Sequence, residues 1–180
     1  LHVCDQNLEQ IEPIKITNTH NLLVDVCMAA KFEGQSITQD YPKYLATYGD
    51  YPSKMCTMLA RSFADIGDIV RGKDLYIRNK REKRRLEDNL KKIFKEIHDN
   101  LKDKEAKARY NDTDKNYYKL REDWWNNNRI MVWRAITCGA GSGKYFRQTA
   151  CAGTSPTQGK CRCPSHKVPT YFDYVPQYLR

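Results

Sequence analysis

The sequence predicts an all-α fold, a helical bundle stapled by disulfides. Apolar residues recur at intervals of three and four in several long segments, the spacing that lines one face of a helix. No run of alternating apolar and polar residues competes as a strand. The chain also carries seven cysteines, several of them among Gly, Pro, Ser and Lys rather than in apolar runs, which points to an oxidising compartment.

Residues 1–17 alternate weakly and predict no element. Thr19 suits the cap of a first helix over 19–33, with Leu22, Leu23, Val26, Cys27 and Ala30 on one face and Gly34 as its stop. Residues 35–51, rich in Tyr, Asp, Pro and Gly, read as a loop. Pro52 fits the first position of a second helix over 52–71, lined by Met55, Leu59, Phe63, Ile66 and Val70 and stopped by Gly72. In its segment 60–75, Arg61, Asp65, Asp68 and Arg71 are spaced to pair along one face, a structural role rather than a site.

The clearest periodicity is in a third helix over 78–108, where Leu86, Leu90, Ile93, Phe94, Ile97 and Leu101 form a one-sided stripe among charged residues. A fourth helix is expected over 114–137, capped by Thr113 or Asp114. Its Trp124, Trp125 and Trp133 are expected to pack at helix contacts. Residues 139–169 read as a long loop, of the kind that is functional, disordered or stapled. The last ten residues read as the entry to a further helix.

The chain of 180 residues suits one domain or a large part of one. It starts at Leu1 and stops at Arg180 in mid-pattern, so a piece of a longer protein is expected. Lys and Arg number 31 against 22 acids, a net charge of +9. That surplus favours an acidic partner: a sulfated or sialylated glycan, nucleic acid or an anionic membrane. No apolar run approaches the roughly 18 residues of a membrane span, and the N-terminus has no basic-then-apolar leader pattern.

Most motif candidates fail on chemistry or spacing. Residues 139–144 resemble a phosphate-binding loop, but Cys138 stands where the first Gly belongs and Tyr145 where Ser or Thr belongs after Lys144. Cys151, Cys161, Cys163 and His166 match no common zinc spacing, and no metal or cofactor is expected. The four histidines, His2, His20, His98 and His166, are scattered without a nucleophile signature, and His98 is expected to be solvated. The carboxylate pairs Asp65 with Asp68 and Glu122 with Asp123 suit capping or ion pairing. No enzyme is expected. Asn111-Asp112-Thr113 spells a glycosylation sequon, a short and weakly specific signal.

The basic segment says more. Residues 78–95 hold nine cations, Arg78, Lys80, Arg81, Lys83, Arg84, Arg85, Lys91, Lys92 and Lys95, against Glu82, Glu87 and Asp88, a net +6 of the chain's +9. With the apolar stripe turned to the core, these cations form a candidate site for a sulfated glycan through charge-assisted hydrogen bonds. The alternatives are a solvated face that only keeps the helix soluble, or a basic helical nucleic-acid-binding module. No nucleic-acid recognition motif is present, and the seven cysteines speak against an intracellular role.

Five blocks together resemble one family. They are LHVCDQNLE at 1–9, AAKFEG at 29–34, CTMLARSFADIGDIVRGKDLY at 56–76, REDWWNNNRIMVWRAITC at 121–138 and YFDYVPQYLR at 171–180. In this order, across nearly the whole chain, they resemble the Duffy-binding-like domains, DBLα type, of Plasmodium falciparum erythrocyte membrane protein 1. The stretches 77–120 and 139–170 between the blocks would then be variable antigen surface.

The resemblance implies a helical domain of three subdomains. Residues 1–17 would end the first and residues 18–180 would form an incomplete second, with the partner of Cys4 outside the chain. It implies adhesion at the outer face of the infected erythrocyte: binding of a host receptor, either a sulfated or blood-group glycan or an endothelial or erythrocyte protein, with rosetting as one outcome. Host antibodies are a further implied partner, and membrane attachment would come only from other parts of the parent protein. No catalytic residue transfers. Among the remaining cysteines three bridges are expected. Cys27 and Cys138, on the first and fourth helices, would pair. Cys56 would join Cys161 or Cys163, and the one left over would join Cys151.

Overall fold

A computed structural model of the protein describes residue 13 and residues 18–48, 54–75, 80–141 and 148–180. Among the described residues five helices carry the fold: α1 (Thr19–Tyr48), α2 (Lys54–Arg71), α3 (Lys80–Asp99), α4 (Lys104–Arg109) and α5 (Tyr118–Ile136). Three single 3-10 turns follow, over Gly159–Cys161, Phe172–Tyr174 and Gln177–Leu179. Among the described residues there is no sheet, only two isolated bridges within the C-terminal loop.

Helix α5 is the hub and packs against α1, α2 and α3. Trp125, Trp133 and Trp124 are all buried, and Phe63 of α2 sits 5.2 Å from both the Trp125 and the Trp133 ring. From α3, Phe94 meets Trp124 edge-on at 6.2 Å. Such tilted and edge-to-face pairs add to plain area burial because the positive ring edge meets the negative face. Leu22, Val26, Ala29 and Ala30 from α1 and Leu86, Leu90, Ile93 and Ile97 from α3 close the same core.

Helix α1 runs well past the expected stop at Gly34. Glu33, Ile37 and Tyr41 continue its buried face at intervals of four, and Pro42 lies inside the helix. Gly34 is a contact residue rather than a terminator. A Cβ there would lie 1.9 Å from the Ile136 carbonyl oxygen, so only glycine lets the two helix backbones approach this closely. Gly72 does end α2, at φ 72°.

The long third helix expected over 78–108 is two helices. α3 ends at Asp99, and the Asp103 side chain accepts the Glu105 N–H to cap α4. The start of α5 is also set differently from the Thr113 or Asp114 cap expected. The Asp112 carboxylate accepts N–H bonds from Asp114, Asn116 and Tyr117 at 3.0, 3.1 and 2.7 Å, and Tyr117 takes a left-handed φ of 56° just before the helix. His98 is buried, not solvated. Its Nε2 lies 3.0 Å from the Lys107 carbonyl and its ring 5.4 Å from that of Tyr117, joining α3, α4 and the start of α5.

Two disulfides staple the long loop: Cys56 with Cys161, across 105 residues, and Cys151 with Cys163, across 12. The bridge expected between Cys27 and Cys138 is not formed, and both thiols are free. Register explains this. The end of α5 meets α1 at Gly34, and Gly139 meets Thr38. Cys27 lies seven residues before Gly34, about 10 Å back along the helix, whereas a disulfide needs Cα atoms about 4.4–6.8 Å apart. Cys4 lies outside the described residues.

The two thiols differ in reactivity. Cys138 is exposed, while burial pushes the half-buried Cys27 thiol up to about 11. At pH 8 only about one Cys27 in a thousand is thiolate, the nucleophilic form. Brief iodoacetamide treatment of the native chain is expected to label Cys138 and to leave Cys27 unmodified until denaturant is added, as read by peptide mapping. Equal native labelling of both would contradict this placement.

Candidate receptor-binding surface

Helix α3 turns Leu86, Leu90, Ile93, Phe94 and Ile97 into the core, so its charged residues face outward. Arg81, Arg84, Arg85, Lys92 and Lys95 are exposed; Lys83 and Lys91 are half-buried. Arg78 and the Lys80 side chain lie outside the described residues.

The cations are not equally available. Lys83 donates to the Asp74 carbonyl, with the Asp74 carboxylate 3.7 Å away. Lys95 is bonded to Asp99 at 2.5 Å, one turn along, and this hydrogen bond raises the Lys95 pKa. The helix as folded also takes in Glu96 and Asp99, so Lys80–Asp99 carries eight cations against five acids, a net +3. What remains for a ligand is Arg84, Arg85, Lys91 and Lys92, with the exposed acid Asp88 between the two pairs. Each pair is seven residues from the other, about 10 Å along the axis.

Glu87 is drawn inward. Arg121 of α5, fully buried, takes both its oxygens at 2.7 and 2.9 Å and donates to the Val70 carbonyl at 2.7 Å. One guanidinium thus holds α3, α2 and α5 together and fixes the orientation of the basic face. A charged fork can satisfy that many acceptors at once because its five donors are rigid and planar.

A second ionic cluster ties the C-terminal segment to α2 and α5. Asp173, buried, accepts from Arg129 at 2.7 Å through each oxygen and from Trp125 Nε1 at 2.9 Å. Arg71 reaches Asp68 at 3.1 Å, Glu122 at 3.0 Å and the Asp173 carbonyl. Arg180 reaches Asp65 at 3.1 Å and also Asp68. The expected pairing within 60–75 is therefore partly met by Arg71 with Asp68, while Arg61 is exposed and Asp65 turns to Arg180. Burial alone would raise the Glu122 carboxyl, but hydrogen bonds from Lys73 and Arg71 outweigh it and hold the pKa below its ordinary 4.5. Its stabilising contribution is therefore present above about pH 4.5 and is lost as the pH falls below that range.

These arginine contacts did not follow from sequence spacing, although one signal was present: Asp173 is the only acid after Asp123. Cys151, Cys161 and Cys163, weighed as zinc ligands, are held in disulfides. The pairs Asp65 with Asp68 and Glu122 with Asp123 are taken up in ion pairs with Arg180, Arg71, Lys73 and Arg109.

A match to the Duffy binding domain family covers residues 1–180. Among solved structures, the chain is similar to the NTS-DBL1(alpha-1) domain of the Plasmodium falciparum membrane protein 1 from the varO strain. Identity is 43%, the TM-score 0.83, and the match covers 99% of this chain and 40% of that one. The NTS-DBL1-alpha and CIDR-gamma double domain from the same strain matches at 42% identity and TM-score 0.79, over 99% of this chain and 25% of that one. A PfEMP1 DBLb domain bound to human ICAM-1 matches at 30% identity and TM-score 0.72, over 99% and 36%. The chain thus spans 40% or less of the length of these relatives. No curated protein sequence matches the chain.

Proposed function

The chain belongs to the Duffy binding domain family, and we propose on that premise that it is part of a non-catalytic adhesion domain that binds a host-cell receptor. The observation that carries this reading is the family match over all of residues 1–180, together with 43% identity to a DBL1α domain. A relative at 30% identity was solved bound to human ICAM-1, which supports a host-cell receptor as the partner. The same kinship supports display on the outer face of the infected erythrocyte, with host antibodies as a further proposed partner.

For the ligand, we propose a sulfated glycan held by α3. Arg84, Arg85, Lys91 and Lys92 make no ion pair among the described residues, and the Arg121–Glu87 contact ties their helix to α5. Rosetting through such a glycan is the cellular outcome this implies. A site of this kind distributes its affinity over several exposed contacts, each screened by salt.

Replacing Arg84, Arg85 and Lys92 together with Ser tests it. Retention on immobilised heparin is expected to end at lower NaCl. By analogy with counterion release from nucleic acids, the slope of log affinity against log salt should flatten by about two units or more. Elution at an unchanged salt concentration would leave α3 as a solvated face and move the receptor site elsewhere.

A further inference from the structure

The chain has eleven asparagines, and only Asn111 opens the pattern Asn-x-Ser/Thr, as Asn111-Asp112-Thr113. Three residues in a sequence say little, because such a pattern arises often by chance. Their place in the fold says more. They lie outside any helix, in the connection between α4 and α5, where a surface loop can carry a modification.

Asn111 and Thr113 are exposed, and neither side chain has a hydrogen-bond partner among the described residues. Asp112 between them turns the other way. Its carboxylate is taken by the N–H groups of Asp114, Asn116 and Tyr117, which holds the connection onto the start of α5. On the other side Tyr110 is pinned. Its hydroxyl donates to Asp123 at 2.8 Å and its N–H to the Ala106 carbonyl at 3.1 Å. The neighbours thus fix the backbone, while the Asn111 amide and the Thr113 hydroxyl are left to solvent. Other asparagines are used by the fold. Asn126 accepts from the Tyr174 hydroxyl at 2.8 Å, and Asn128 donates to the Trp124 carbonyl at 2.8 Å.

We infer that Asn111 is a modification site, an acceptor for an N-linked sugar. The reaction joins Asn111 Nδ2 to the anomeric carbon of an N-acetylglucosamine carried on a lipid pyrophosphate. The nitrogen–carbon bond forms as the bond from that carbon to the phosphate oxygen breaks. The lipid pyrophosphate leaves with the electron pair, and the amide gives up one proton to a base of the transferase. The site takes whatever chain the cell supplies, from a single N-acetylglucosamine upwards. No internal hydrogen bond among the described residues is lost, because the amide makes none.

Two observations bring the segment to such a transferase. The bridges Cys56–Cys161 and Cys151–Cys163 belong to an oxidising compartment, the route on which this transfer takes place. Asn111 also lies inside the loop that Cys56–Cys161 closes. Cys161 is synthesised well after Asn111, so that loop is still open when the acceptor emerges, and the segment can meet the enzyme extended. In the folded chain the sugar stands at the Asp99 end of α3, where His98 meets Lys107 and Tyr117. Arg84 lies fourteen residues before His98, about 21 Å along the helix. The inference therefore does not depend on the ligand proposed for α3.

The test secretes the chain from a eukaryotic cell line that adds N-linked sugars and reads its intact mass before and after peptide-N-glycosidase. The parent is expected to carry one sugar chain that the enzyme removes, leaving Asp at position 111 in the mapped peptide. Asn111→Gln and Thr113→Ala are each expected to abolish the mass increment, and Thr113→Ser to retain it. Both positions are exposed, so circular dichroism and disulfide mapping should match those of the enzyme-treated parent. Should a variant fail to leave the cell, cell-free translation with microsomes reads the same increment without secretion. A parent secreted with both bridges and no sugar overturns the inference. An increment that survives both Asn111→Gln and Thr113→Ala also overturns it, because the sugar would then sit elsewhere. Loss in Thr113→Ser as complete as in Thr113→Ala overturns it too, because the hydroxyl would then not be what the transferase reads.

Discussion

Asp173→Ala is expected to destabilise the chain by about 3–5 kcal/mol, the cost of leaving a buried charge without its partner. The carboxylate is 1% exposed and answers Arg129 through both oxygens and Trp125 through one. Removing it leaves Arg129, itself only 8% exposed, with the Thr170 carbonyl and the Phe63, Tyr171 and Tyr174 rings as its remaining contacts. It also strands the Trp125 N–H in the middle of the core. At about 2–4 °C per kcal/mol for a chain of this size, the melting temperature should fall by about 6–20 °C, read by circular dichroism. The double change Arg129→Met with Asp173→Ala should cost less than the sum of the two single changes, because no buried charge is then left alone. A loss under about 1 kcal/mol for Asp173→Ala would show that packing of Tyr174 and Phe172, not the ion pair, holds the C-terminal segment on α2 and α5.

Loss of the Cys56–Cys161 bridge is expected to have a comparable effect. It closes a loop of 105 residues between the start of α2 and the segment beside Trp133. In the chain-entropy argument such a cross-link is worth about 5 kcal/mol, and the 12-residue Cys151–Cys163 bridge about 3 kcal/mol. Urea titration of Cys56→Ser with Cys161→Ser should therefore show a larger loss than Cys151→Ser with Cys163→Ser. The reverse order would mean that the short bridge acts through the native loop rather than through the unfolded chain.

The helical core was legible in the sequence because period 3.6 and burial are coupled. Of the stripe Leu86, Leu90, Ile93, Phe94, Ile97 and Leu101, the first five are one buried face, while Leu101 falls past the end of α3 and is half-buried. The three tryptophans were read as core and are core. The end of α1 was misread because Gly34 and the Tyr-, Asp- and Pro-rich stretch after it look like breakers locally. The continuing stripe Glu33, Ile37, Tyr41 was in the sequence, but the reason for glycine at 34 was not. That reason is the Ile136 carbonyl, which is more than a hundred positions away.

The basic face was legible in composition but not in availability. Summing charge over 78–95 stops short of Glu96 and Asp99 and cannot see that Lys83 is taken by Asp74 or that Glu87 turns inward to Arg121.

By itself the sequence determined the helical class, the amphipathic faces and the excess of positive charge, because these depend on residue identity and short-range spacing alone. Only the tertiary structure decided which cysteines pair, which cations stay free and where Asp173 lodges. Each of these depends on distances between residues far apart in the chain. A salt bridge or a disulfide forms only where packing brings its partners within a few ångströms, and helix register set at Gly34 holds Cys27 away from Cys138 while placement beside Trp133 brings Cys161 to Cys56.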